Sequence, residues 1–325
     1  MARGGRVGAA RPPHGGAHRV RHPRPEGRAV AVPARGGRRP TAAAVALAAT
    51  LAVAATLALV SSCAAAADVA ADVNGTFASS KGPLPIGPVP EHAGLGADAA
   101  ALVGERVVRI DVVSCVRRHH GTGFFVAPDL VLTAAHVVAG AADIEVLDAA
   151  GGHLGWTGAG SRPGLAPHDD LRVVAWDSAR DLALLQVGYG VPTHFERADG
   201  EPGDVVAVAG YRFGKELAVR AARLEHRVSA RSADIYREGE TLRDVYLLAA
   251  EIGSGNSGGP LVDEAGRAVG VVVAVAGTRF AAAVAVSDTE VRQFLAEAAD
   301  AIALGRYAAD ADTGRCLNQG GIRPR

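Results

Sequence analysis

Aromatic residues are scarce, at 4% of the chain, so the interior cannot be built on stacked rings and must draw on Val, Ala and Leu. Three cysteines are too few for a disulfide-dense mini-protein. Net charge is absent, but only as a sum. The first 40 residues hold ten Arg against one acid, Glu26, and the acidic surplus lies in the remainder. A chain this polarised works in two environments. Nearly half of the 325 residues are apolar, which excludes a disordered polymer and allows one or two domains with a sizeable core.

Charge is missing altogether from Thr41 to Ala67, a run carrying Leu47, Leu51, Leu57, Leu59, Val45, Val53 and Val60. About 20 apolar residues suffice for a helix to cross the hydrocarbon layer. The Arg-rich flank on its N-terminal side places residues 1–40 in the cytoplasm and the later chain outside. A nucleic-acid-binding arm would be expected to carry aromatics and to stand apart from an apolar run, so the Arg-rich leader reads as topogenic and no nucleic-acid partner is expected. Val60-Ser61-Ser62-Cys63 is similar to a bacterial lipobox, and Ala64 to Ala67 offers small-residue cleavage sites. Composition leaves three anchors open: a spanning segment over 41–62, a lipidated Cys63, or a cleaved signal. Residues 63–97 hold Pro83, Pro85, Pro88 and Pro90 without apolar periodicity, and read as a semi-extended tether.

From about Glu105 the texture becomes β-rich. Short apolar runs at 107–113, 123–126, 130–133, 144–147, 171–176, 182–187, 205–209, 245–249, 260–262, 269–275 and 282–286 are separated by turn residues, as in an all-β barrel or sandwich. A helix is predicted from Ser287 to about Leu304, with Ser287 as N-cap and Glu290 as its capping-box partner. Helices do not alternate with strands, which argues against a doubly wound sheet. The expected domain spans 98–305, followed by a tail over 306–325 that contains Cys316.

Gly253-Ser254-Gly255-Asn256-Ser257-Gly258-Gly259-Pro260 carries the strongest chemical signal. A serine hydroxyl attacks a carbonyl only when a base takes its proton and donors receive the oxyanion. Glycines around Ser257 let the N–H groups of Gly255 and Ser257 converge. The same string satisfies the nucleophile elbow of α/β-hydrolases, but those place His after Ser, and the last His here is His226. The base must therefore lie upstream. His136, in Thr133-Ala134-Ala135-His136, ends an apolar strand, and Asp181 opens the apolar run Leu182-Ala183-Leu184-Leu185. The order His, Asp, Ser is that of chymotrypsin.

These three motifs together resemble those of trypsin-like serine proteases, nearest to the bacterial Deg/HtrA type and to actinobacterial membrane-linked acid-resistance proteases. The resemblance covers roughly residues 100–300. It implies two six-stranded antiparallel β-barrels with a C-terminal helix and a cleft between them. It further implies that His136 is the general base, Asp181 its orienting acid and Ser257 the nucleophile, with Gly255 and Ser257 amides holding the oxyanion, on a polypeptide substrate and with no cofactor or metal. Glu251, six residues before Ser257, falls where such enzymes line the primary specificity pocket, and its carboxylate would favour Lys or Arg. Asn256 stands where zymogen-type trypsins have an Asp, so cleavage near Val107 is not expected to be the activating switch. Too little chain follows the terminal helix for the PDZ domain that Deg/HtrA proteins usually carry. Cys115 and Cys316 would be bridged in an oxidising compartment, as the acid-resistance proteases bridge their front to their tail; two free thiols are the alternative. Arg117-Arg118-His119-His120 lacks a third metal partner and reads as a solvated strand edge. The expected function is a membrane-tethered, extracytoplasmic serine endopeptidase in envelope protein processing or quality control, against a non-catalytic peptide-binding domain or a serine esterase on the same site.

Overall fold

The structure, a computed structural model, describes residues 78–79, 82–115, 117–157, 171–275, 282–303 and 313–317. The leader, the apolar run 41–62 and Cys63 lie outside these residues. No helix among the described residues is long and apolar enough to cross a membrane.

The C-terminal part of the expected tether is not free. Leu84, Ile86, Ala93 and Leu95 pack against the core, and the Pro85 carbonyl accepts a hydrogen bond from His226 Nε2 at 2.7 Å. Its few apolar side chains find a face to cover, while prolines keep the backbone extended. A helix α1 (Ala97–Arg106), not anticipated from the sequence, follows and buries Ala99 and Val103.

Two β units come next. The first holds β1 (Val107–Ser114), β2 (Arg117–Ala127), β3 (Leu130–Thr133), a single helical turn α2 (Ala135–Val138), β4 (Ala141–Leu147), β5 (His153–Trp156), β6 (Arg172–Asp177) and β7 (Leu182–Gln186). These strands form an antiparallel sheet in the order β5-β4-β1-β2-β3-β7-β6. The expected six-stranded closed barrel is thus a seven-stranded curled sheet. The additional strand, β5, has the sequence His153-Leu154-Gly155-Trp156 and so offers no continuous apolar run. Gly155 on β5 lacks a Cβ that would stand 3.2 Å from Leu171, so one edge of the sheet comes close to the chain entering the other. Phe124 and Phe195 meet edge to face at 5.7 Å inside this unit.

The second unit is a closed barrel, β8-β9-β10-β13-β12-β11, built from β8 (Val205–Gly210), β9 (Ala218–Ser232), β10 (Thr241–Ala250), β11 (Pro260–Val262), β12 (Ala268–Val275) and β13 (Ala282–Ser287). Its interior is filled by Val206, Val208, Leu224, Tyr246, Leu248, Leu261 and Val272. Val and Leu on alternate positions suit a pleated, half-buried surface, which is why an aromatic-poor sequence can make this core. Closure removes the unpaired strand edges.

Helix α3 (Asp288–Ala303) buries Val291, Phe294 and Ala298, spaced along one face. The expected capping box does not form as predicted. The Ser287 hydroxyl donates to Asp244, and Glu290 accepts from the Asp244 backbone N–H at 2.9 Å and from Arg180. Both side chains are drawn to β10 and to the first unit, where partly buried polar partners stand within reach.

Candidate active site

His136 lies on α2, immediately after β3, rather than at the end of the strand itself. The small residues Ala134 and Ala135 are fully buried there and let the turn press on the sheet. Asp181 sits in the turn between β6 and β7 with φ +60°, a left-handed conformation that Asp tolerates better than most residues. Asp177 makes this turn. It accepts from the backbone N–H groups of Ala179 and Arg180 at 2.8 and 2.9 Å and pairs with the Arg180 guanidinium. The reason is local: the chain must reverse over four residues, and a short carboxylate can close the loop on itself.

Asp181, 6% exposed, then holds His136 twice. One oxygen accepts from the His136 backbone N–H at 2.8 Å, and the other lies 2.7 Å from the imidazole Nδ1. The ring is thereby fixed in position and in tautomer, with Nδ1–H on the carboxylate and Nε2 facing away. Burial acts to lower the His136 pKa, but the Asp181 charge and hydrogen bond outweigh it and hold the imidazole above its ordinary 6.5.

Ser257 is half-buried in the loop between β10 and β11. Its neighbour Gly258 has φ +83° and lies against the Thr122 carbonyl, the Thr133 hydroxyl and the Ala134 backbone, where a Cβ would come within 2.1, 2.2 and 2.9 Å of these atoms. This sets the serine loop at the foot of α2. Among the described residues the structure records no hydrogen bond between Ser257 and His136, so it joins the imidazole to its carboxylate but leaves the hydroxyl unpaired with the ring.

The peptides around Ser257 are held through their carbonyls. Ser254 O accepts from Phe213 N–H at 2.6 Å, Gly255 O from the Thr122 hydroxyl at 2.6 Å, and Asn256 O from Gly259 N–H at 3.0 Å. Gly255 takes φ +94°, and a Cβ there would meet the Tyr211 carbonyl at 2.3 Å. The N–H groups of Gly255 and Ser257 have no acceptor among the described residues, which is what an anion-receiving pair requires. Asn256 is 2% exposed and its amide oxygen accepts from the Gly253 N–H at 3.0 Å. An uncharged side chain thus closes this loop from within.

The remaining predicted residues separate. Glu251 is largely exposed, with Arg220 at 3.9 Å, beside a groove lined by Arg212, Phe213, Leu217 and Arg220. Cys115 and Cys316 are bonded, with Cα atoms 6.3 Å apart. His119 contacts the Val137 carbonyl and His120 the Asp111 carboxylate. Sequence reasoning missed Thr122, Tyr211 and Arg180. Only Thr122 had a visible signal, a polar residue between two glycines in an apolar strand.

The fold and this constellation define the class, a chymotrypsin-like domain of the serine-peptidase type. Residues 121–271 match the family model described as the trypsin-like peptidase domain. More particularly, it is 33% identical over 199 residues to the serine protease Rv3671c of Mycobacterium tuberculosis, which covers 59% of this chain and 46% of that protein. A crystal structure of that protease in its active form superposes with a TM-score of 0.63 at 28% identity, covering 74% of this chain and 98% of the crystallised one. A probable DegP-like periplasmic serine endoprotease of Rhizobium meliloti is 33% identical over 164 residues, 49% of this chain and 28% of its own. The chain therefore spans less than half the length of the curated relatives it matches.

Proposed function

We propose that this chain is a serine endopeptidase that cleaves polypeptides through an acyl-enzyme, with Ser257 as nucleophile, His136 as general base and Asp181 as the group that orients the base. The observation that carries this reading is the double hold of Asp181 on His136, beside a serine loop with two unengaged N–H groups. In the acylation step the Ser257 oxygen bonds to the peptide carbonyl carbon as His136 Nε2 takes its proton. The carbonyl oxygen becomes an anion received by the Gly255 and Ser257 amides. The same proton then passes to the leaving amine as the C–N bond breaks, and water repeats the sequence on the ester. Catalytic hydrogen bonds to the hydroxyl are often long without substrate and tighten on binding.

The catalytic domain is proposed to work outside the cytoplasm, tied to the membrane through residues 41–62 or a lipidated Cys63. The Arg-rich leader before an uncharged run supports that orientation, and the Cys115–Cys316 bond suits an oxidising compartment. Envelope protein processing or quality control is the corresponding role.

Reaction of the full-length chain with a fluorophosphonate probe tests the reading. We expect an adduct on Ser257 and cleavage of an unfolded polypeptide, both lost in Ser257→Ala. Ester hydrolysis without amide hydrolysis would make it an esterase. Retained biological function in Ser257→Ala would make it a binding domain.

A further inference from the structure

We propose that Thr122 is a positioning residue that sets the oxyanion-binding loop from the opposite β unit. The inference rests on the peptidase reading above for its kinetic consequence, but not for its geometry.

Thr122 lies in Gly121-Thr122-Gly123-Phe124 on β2. Both flanking glycines are required by packing. A Cβ on Gly121 would stand 2.3 Å from Val137, on the turn that carries His136, and one on Gly123 would stand 2.6 Å from Val131 and 2.8 Å from Ile110. The strand is thus pressed against α2 and its own sheet, and the one side chain between the glycines is directed out of that sheet into the barrel. Thr122 is fully buried, and each of its polar atoms is engaged. Its hydroxyl donates to Gly255 O at 2.6 Å and accepts from Tyr211 N–H at 3.0 Å. Its backbone N–H donates to Ser257 O at 2.9 Å, and its carbonyl accepts from the Thr133 hydroxyl at 2.7 Å.

One residue therefore ties the serine loop at Gly255 and Ser257, the end of β8 at Tyr211, and the strand leading to His136. A glycine-bearing loop has alternative peptide orientations within easy reach. Rotation of the 255–256 peptide would carry the neighbouring N–H groups of Gly255 and Ser257 off their common direction. Here that rotation breaks the Thr122–Gly255 bond, along with the bond from Asn256 N–H to Gly253 O at 3.0 Å, at buried atoms, leaving the Thr122 O–H donor and the Gly255 carbonyl unsatisfied. The loop is held ready before substrate arrives, and the stabilisation of a developing oxyanion comes from that preorganisation.

Thr122→Val keeps the shape and removes the hydroxyl; Thr122→Ser keeps the hydroxyl. In the full chain, Thr122→Val should lower kcat by about 10- to 100-fold with KM within about 3-fold of wild type, and weaken a peptide boronate that mimics the tetrahedral state by the same factor. Thr122→Ser should stay within about 3-fold of wild type in both. Hydrogen exchange over residues 253–259 should accelerate in Thr122→Val alone. Wild-type kcat, boronate affinity and exchange in Thr122→Val would overturn the proposal, as would a Thr122→Ser defect equal to that of Thr122→Val. A kcat loss that merely tracks the folded fraction, read from urea unfolding of the same samples, would also overturn it. A wild-type chain that neither cleaves nor labels would refute the peptidase reading instead, and the exchange measurement would then decide the role of Thr122 on its own.

Discussion

At the scale of the residue, the Asp181–His136 pair sets the pH behaviour. A general base must be neutral, and the imidazole pKa is raised above 6.5 by the facing carboxylate despite burial. The acid limb of kcat/KM should therefore have its midpoint above pH 6.5. Asp181→Asn removes what raises the pKa and leaves burial, so the acid limb should move below that value, with kcat lower by about 10⁴-fold as in triads that lose their acid. The stability sign is opposite. The folded chain binds the His136 proton more tightly than the unfolded one, so this pair stabilises fully below the unfolded pKa, and its contribution is lost as pH rises through the folded one. Glu251 gives a second residue-scale prediction. Arg220 lies 3.9 Å from its carboxylate and competes with any basic substrate side chain. If Glu251 lines the specificity pocket, Arg220→Ala should raise the preference for Lys and Arg at the cleaved bond, and Glu251→Ala should abolish it. Cleavage of a peptide library by the three proteins reads both.

At the scale of the element, the turn carrying Asp181 is fastened to helix α3. Arg180, next to Asp181 in sequence, pairs with Asp177 in its own turn and with Glu290 and Glu297 on the helix. Hydrogen bonding to Glu297 is the largest of the influences that keep the guanidinium charged. Removing Arg180 takes the cation from three carboxylates, of which Asp177 and Glu290 keep their backbone donors, so Arg180→Ala should cost about 1–3 kcal/mol in urea unfolding. The sequence did not suggest the link to α3, because Glu290 and Glu297 lie in a segment far along the chain from Arg180. Strand β9 teaches the same lesson. Its 15 residues, rich in Ala and Arg, lack the apolar alternation that marked most of the other strands. It is a strand because β8 and β10 pair with it along both edges, with a bulge at Leu224/His226.

At the scale of the whole molecule, the N-terminal unit and the C-terminal tail are joined by a bond between residues 201 apart. The tail also returns to α2's side of the sheet, where Gly140 N–H donates to Thr313 O at 3.1 Å and Tyr236 donates to the same carbonyl. Gly140 has φ +60°, and a Cβ there would meet the Cys316 backbone at 2.7 Å, so only glycine lets the tail pass. In the chain-entropy description, closing so long a loop stabilises the fold by at most about 5 kcal/mol. Reduction, or Cys115→Ser, should lower the stability accordingly and raise the m-value in urea, because the uncrosslinked unfolded chain exposes more surface. Intact mass with and without reductant after alkylation gives the fraction bridged.

The sequence alone determined the β class and the C-terminal helix, and it put forward His136, Asp181 and Ser257, in that order, as candidates. Those follow from local pattern: apolar runs with turn residues between them, and glycines where a backbone must approach a neighbour. What only the tertiary structure decided is how distant segments share a buried atom. Thr122 on Gly255, Tyr211 on Val107, and Arg180 on α3 are each polar contacts across large sequence gaps. A hydroxyl or guanidinium carries no mark of its partner along the chain; burial selects that partner, because once water is excluded a donor must find whichever acceptor the fold has brought within reach.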